Sequence, residues 1–115
     1  MARLYQHHQY QAVERPIRAL QKTQQMPTVK FTYALKRFFP GLKETAAGGS
    51  TLVEIITEMD NCYPGIRGYI LDEQGVLRKH VNIFIDGSMI ADRTSLNDPF
   101  PGHCEIYIMQ ALSGG

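Results

Sequence analysis

Hydrophobic and polar positions alternate from residue 29 onward: Val29, Phe31, Tyr33 and Leu35 are separated by Lys30, Thr32, Ala34 and Lys36. A period of two sends successive side chains to opposite faces, so this stretch is expected to be a half-buried strand. Pro40-Gly41 is a turn signal, and residues 42–46 are expected to return as the second strand of a hairpin, ended by Gly48-Gly49. The period then changes. Leu52, Ile55, Ile56 and Met59 fall on one face at helical spacing, behind Thr51 and Glu54 at capping-box spacing, with Ser50 as an alternative cap. This predicts one amphipathic helix with a single buried stripe, closed by Pro64-Gly65.

Residues 66–80 read as a connection containing a short strand at 69–71 and a turn at Glu73-Gln74-Gly75. Val81, Ile83 and Ile85 alternate with Asn82 and Phe84, and Asp86-Gly87 is a hairpin signal. After a loop holding Asn97, Asp98, Pro99, Pro101 and Gly102, a final strand over 105–109 runs almost into the end of the sequence. Strands on both sides of one amphipathic helix predict an α+β fold of the β-grasp (ubiquitin-like) type, a mixed sheet with one main helix packed on one face.

Composition leaves this picture intact. A chain of 115 residues with 43% hydrophobic and 20% charged residues suits one globular domain. Residues 1–27 differ from the rest: they are Gln-rich and carry Pro16 and Pro27. They are expected to be a polar extension, partly disordered or lying on the surface. The domain proper is expected over 28–110, with a flexible tail at 111–115. No apolar run is long enough to span a bilayer and the first residues lack a signal-peptide pattern, so a cytoplasmic protein without a membrane partner is expected.

Net charge is +1, unevenly placed: residues 1–50 hold eight Lys/Arg against two Asp/Glu, and residues 51–115 hold four against nine. The basic half has scattered charges and no aromatic platform, so nucleic acid is not an expected partner. Cys62 and Cys104 form no CxxC pair and are expected as reduced packing residues. His7-His8 has no third ligand at helical spacing, so no metal site is expected.

The ending Ala111-Leu112-Ser113-Gly114-Gly115 carries the candidate chemistry. At about 7% glycine per position, a random Gly-Gly ending arises roughly once in 200 chains. Two residues without Cβ can thread a narrow channel and approach a nucleotide closely. An α-carboxyl is ionised at neutral pH and is a poor electrophile, so it needs activation from outside, by adenylation with ATP. The chain has no Gly-rich phosphate loop of its own. It is therefore expected to be a substrate or carrier, not an enzyme, with no tightly bound cofactor and with ATP used by an activating partner.

The segment Leu77-Arg78-Lys79-His80-Val81-Asn82-Ile83-Phe84-Ile85-Asp86-Gly87 and the ending Ile106-Tyr107-Ile108-Met109-Gln110-Ala111-Leu112-Ser113-Gly114-Gly115 resemble the sulfur carriers of the molybdopterin synthase small-subunit type, which include the small ubiquitin-like modifiers of prokaryotes. The resemblance covers residues 28–115. It implies adenylation of Gly115 by a ubiquitin-activating-type enzyme and conversion of that glycine to a thiocarboxylate that donates sulfur, to a molybdopterin precursor or a related acceptor. The implied partners are the adenylating enzyme and either a sulfur-acceptor synthase subunit or, for a protein modifier, lysines of target proteins. A noncovalent interaction module with an incidental tail is the remaining alternative. The chain departs from the family at Pro101-Gly102-His103-Cys104-Glu105, where an acidic turn is common, and at Gln110, where proline is common.

Alternation also locates a candidate partner face. If Ile106 and Ile108 face the helix, Tyr107 and Met109 face away, and Phe84 joins them from the neighbouring strand. Exposed Phe84, Tyr107 and Met109 are expected to form an apolar docking patch beside Ala111, Leu112 and Ser113, with Gly114 and Gly115 as the reacting end; cover by the N-terminal arm or by a second copy of the chain is the alternative. His103 and Cys104, adjacent on a strand, point to opposite faces and are not expected to act as a nucleophile pair.

Overall fold

The computed structural model describes residues 26–111. The expected N-terminal extension up to residue 25, with its His7-His8 pair, and the tail residues Leu112, Ser113, Gly114 and Gly115 lie outside the described residues.

The elements run β1 (Thr28–Phe31), α1 (Tyr33–Lys36), β2 (Thr45–Ala46), α2 (Leu52–Cys62), α3 (Ile66–Ile70), β3 (Val81–Ile85), β4 (Ser88–Met89) and β5 (Glu105–Gln110). The five strands form one sheet in the order β2-β1-β5-β3-β4. β1 and β5 are parallel neighbours, and the other pairs are antiparallel. The mixed sheet and the helix across one face are the α+β architecture expected from the sequence.

The α2 cap forms as its spacing predicts. Thr51 Oγ1 accepts from the Glu54 N–H at 3.1 Å, and the Glu54 carboxylate accepts from the N–H of Ser50 at 2.7 Å. Both are amide donors that the helix ladder leaves without a partner. Leu52, Ile55, Ile56 and Met59 are buried against Val29, Ile83, Ile106 and Ile108 of the sheet. Each such aliphatic side chain contributes about 1.5–3 kcal/mol on full burial. No polar or charged residue is buried among the described residues, so the core between helix and sheet is purely apolar.

Three sequence expectations are corrected. The strand expected through residue 35 stops at Phe31. Its last ladder bond is the Thr32 N–H to Ile108 O, after which Leu35 N–H turns back to Thr32 O and α1 begins. Ala34 and Leu35 are buried, while Tyr33 is 77% exposed. Leu35 thus reaches the core from a helical turn, a position the alternating pattern assigned to a strand. Residues 42–46 hold only the two-residue β2, joined to β1 by α1 and a loop and not by a tight hairpin.

The short strand expected at 69–71 is also replaced, by α3. Asp60 Oδ1 accepts from the N–H groups of Gly65 and Arg67, and Gly65 takes φ +99°, which a glycine reaches without strain. Ile66 and Ile70, four residues apart, both point into the core. Only Leu71 keeps a strand-like contact, a bridge to Leu77 across the expected turn at 73–75.

β3 matches its expected residues. Asp86 (φ +48°) and Gly87 (φ +86°) both adopt left-handed backbone, the requirement of a two-residue type I′ hairpin. Asp86 Oδ1 then accepts from the Glu105 N–H at 2.8 Å, which ties the turn to the start of β5.

Candidate functional site at the end of the central strand

β5 lies in the middle of the sheet and carries the chain toward its tail. Its inward residues Ile106 and Ile108 are 1% and 0% exposed. Tyr107 and Met109 therefore stand on the opposite face, as expected. Register brings the neighbours in: Phe84 is directly opposite Tyr107, Met109 is opposite Asn82, and on the far side of β3 Met89 is opposite Phe84. The Phe84 and Tyr107 ring centroids are 6.5 Å apart at a tilt of 39°, within the range of attractive aromatic pairs.

Phe84, Tyr107 and Met109 are half-buried, not fully exposed, because each leans on its cross-strand neighbour. Met89 is the most open member, at 57% exposure. It was not among the expected residues, although the two-residue Asp86-Gly87 turn already dictates the Phe84–Met89 pairing. Ala111 is exposed at the end of β5, and its N–H donates to His80 O at 2.9 Å. This bond anchors the chain at the last described residue.

A polar border flanks the patch. On β1, opposite Tyr107, Lys30 Nζ lies 3.0 Å from the Glu105 carboxylate and 3.3 Å from that of Glu44. These carboxylates hold the Lys30 ammonium above its usual pKa, the Glu105 hydrogen bond first. An open cavity of about 550 Å³ lies between Lys30, Glu44, Glu105 and Tyr107.

Cys104 is half-buried against the core, and burial, with a smaller contribution from Asp86, pushes its thiol pKa up. A thiol raised in this way is a poor nucleophile at neutral pH. Cys62, expected as a packing residue, is instead exposed at the last turn of α2. Three residues beyond Met59 it stands at the edge of the buried stripe, but as the last residue of α2 it lies past the part of the helix that the core covers. Among the described residues no group of three His, Cys, Asp or Glu side chains could hold a metal ion. No helix there is long and apolar enough to cross a membrane.

No protein-family model and no curated relative matches the chain. Solved structures do. CysO from Mycobacterium tuberculosis is similar with a TM-score of 0.65 and 25% identity over 75% of this chain and 99% of that one. The Amycolatopsis orientalis BexX/CysO complex contains a chain similar at 0.66 and 23% identity, covering 77% of this chain and 99% of that one. Small archaeal modifier protein 1 from Haloferax volcanii matches at 0.65 and 17% identity, covering 78% and 99%. With the strand order and the helix across the sheet, these likenesses establish the ubiquitin-like β-grasp fold.

Proposed function

We propose that this protein is a sulfur carrier whose reacting group is the carboxylate of Gly115. One observation carries the reading: the central strand β5 delivers Ala111, four residues before Gly115, from the edge of an apolar face made by Phe84, Met89, Tyr107 and Met109. A rigid face beside a short Gly-Gly arm suits a partner that grips the domain and draws the arm into its own nucleotide site. The carboxylate attacks the α-phosphorus of ATP on a ubiquitin-activating-type enzyme and pyrophosphate leaves. A sulfur nucleophile at the hydrosulfide level then forms a C–S bond as the C–O bond to AMP breaks, leaving the thiocarboxylate. The sulfur passes to an acceptor synthase subunit, for molybdopterin or a related product. The similarity to CysO, one copy of which is solved in complex with BexX, supports a carrier that docks on a partner.

Intact mass after co-expression with the activating enzyme tests this. The expected result is the mass gain of one oxygen replaced by sulfur, confined to the C-terminal peptide and lost on deleting Gly114-Gly115. An unchanged mass under sulfur-replete conditions sinks the reading.

A second reading, conjugation to target lysines, is supported by the likeness to a small archaeal modifier protein. It predicts lysines carrying the C-terminal peptide of this chain through an isopeptide bond. The last Lys or Arg is Arg93, so trypsin would leave a branch starting at Thr94 and not a bare Gly-Gly remnant.

A further inference from the structure

The ladder between β1 and β5 is completed by a side chain. Bonds along a parallel pair recur at even spacing: the Thr28 N–H donates to Cys104 O at 2.9 Å, and the Thr32 N–H donates to Ile108 O at 3.2 Å. The next bond in that series would run from the Gln110 N–H to the carbonyl of Thr32. That carbonyl is turned away, because it accepts from the Leu35 N–H at 3.2 Å where the chain enters α1. The Thr32 hydroxyl takes its place. Its Oγ1 accepts from the Gln110 N–H at 3.2 Å, across 78 positions of sequence.

This use of the hydroxyl leaves α1 uncapped. Thr32 holds the N-cap position of α1, where a threonine oxygen ordinarily accepts from an amide of its own helix, and its side chain makes no such bond. The oxygen is directed instead to the residue that ends β5. On the other side of β5, His80 O accepts from the Ala111 N–H at 2.9 Å. The Gln110 side chain adds no hold of its own. It borders an open cavity of about 460 Å³ beside Tyr69, Arg78 and His80. Its buried Oε1 meets no donor among the described residues, a deficit that favours local opening.

We propose that Thr32 is a positioning residue for the tail, its hydroxyl acting with His80 O to fix the point at which the chain leaves the sheet. Its part in delivering the tail rests on the carrier reading above, whereas the clamp itself does not. With both bonds made, the chain is held as far as Ala111, and the four residues from there to Gly115 reach at most about 14 Å. With both open, the held point moves back to Met109 and the reach grows to about 20 Å. A partner gripping Phe84, Met89, Tyr107 and Met109 meets an arm of set origin and length in the first state. In the second it must order two more residues before the carboxylate is in place for reaction.

Thr32→Val keeps the shape of the side chain and removes the acceptor. Thr32→Ser keeps the oxygen, and Thr51→Ala removes a comparable bond at the start of α2, away from the clamp. Amide hydrogen exchange on the full chain reads the clamp without any partner. The net contribution of one hydrogen bond corresponds to about two- to tenfold in an opening equilibrium. Gln110 and Ala111 should exchange faster by that factor in Thr32→Val, and near the wild-type rate in Thr32→Ser and Thr51→Ala. Pyrophosphate exchange into ATP by the activating enzyme reads delivery. Thr32→Val should raise the KM for the carrier by a similar factor with kcat unchanged, whereas Thr51→Ala, which only weakens the fold, should move neither. The proposal is overturned if Gln110 and Ala111 exchange no faster in Thr32→Val than in Thr51→Ala, or if they do and the two variants share one KM. Absence of pyrophosphate exchange with the wild-type chain is a different failure. It removes the carrier reading and with it the part of Thr32 in delivery, and hydrogen exchange still decides the clamp.

Discussion

Phe84 on β3 and Tyr107 on β5 stand directly opposite one another on the outer sheet face, with ring centroids 6.5 Å apart. The pair is the centre of the apolar face beside Ala111, the face proposed above as a docking surface. Truncating either ring should lower stability, and a double-mutant cycle of Phe84→Ala and Tyr107→Ala by urea unfolding should return a coupling of about 0.2–1 kcal/mol. A coupling of zero would mean that the rings share a face without supporting one another.

Met89 separates docking from stability. At 57% exposure it adds little to the fold, so Met89→Lys should shift the unfolding free energy by no more than about 0.5 kcal/mol. The same variant should markedly weaken binding to the activating enzyme, measured by calorimetry, if the Phe84–Tyr107–Met89 surface is the docking face. Unchanged affinity moves the docking face elsewhere.

The two glycines before α2 are not equivalent. A Cβ on Gly49 would lie 2.9 Å from Glu54 Cβ and 3.2 Å from the Ile55 backbone nitrogen, whereas one on Gly48 meets nothing closer than Met26 at 4.0 Å. Gly49→Ala should therefore cost about 1–3 kcal/mol as helix α2 is pushed from its seat. Gly48→Ala should be close to neutral, and thermal unfolding of the two variants side by side reads the difference.

Removing the α2 cap is a smaller change. Thr51→Ala deprives the Glu54 N–H of its acceptor and should cost about 1 kcal/mol. Thr51→Ser, which keeps the oxygen, should recover most of it.

Acid stability should depend on Asp92. Its carboxylate accepts from the backbone N–H groups of Ser95, Asn97 and Thr94, and these bonds, that of Ser95 foremost, hold its pKa below the usual value. A carboxyl more acidic in the folded than in the unfolded chain stabilises the fold fully above its unfolded pKa of about 3.9, and loses that contribution as pH falls through the lower folded value. Asp92→Asn should flatten the fall in stability in that acid range and leave its slope above pH 5 unchanged, as followed by circular dichroism.

Much of the fold was legible in the chain because its longest elements state their own period. Val81 to Ile85 alternate cleanly and end in Asp86-Gly87, a dipeptide suited to left-handed backbone at both turn positions. Leu52, Ile55, Ile56 and Met59 repeat at helical spacing behind a capping threonine. Short elements carry too few residues for a period to be decisive. Leu35 would be buried from a strand or from a turn of helix, and Ile66 and Ile70 give a single helical repeat, too little to set a period.

The sequence by itself determined the buried stripe of α2, the inward residues Val81, Ile83, Ile106 and Ile108, the Asp86-Gly87 turn, and that Tyr107 and Met109 share a face, because these follow from local backbone geometry and from hydrophobicity along one element. Tertiary structure alone decided the rest. The first strand ends at Phe31 where the chain leaves the ladder, the Thr32 N–H bonding Ile108 O and the Leu35 N–H turning back to Thr32 O. Met89 joins Phe84 through pairing between strands. Arg78, Tyr69, His80 and Gln110, spread over some forty positions, meet around one cavity because α3, the connection before β3 and the end of β5 converge there. Such convergence depends on contacts between residues far apart in the chain, which no local period records.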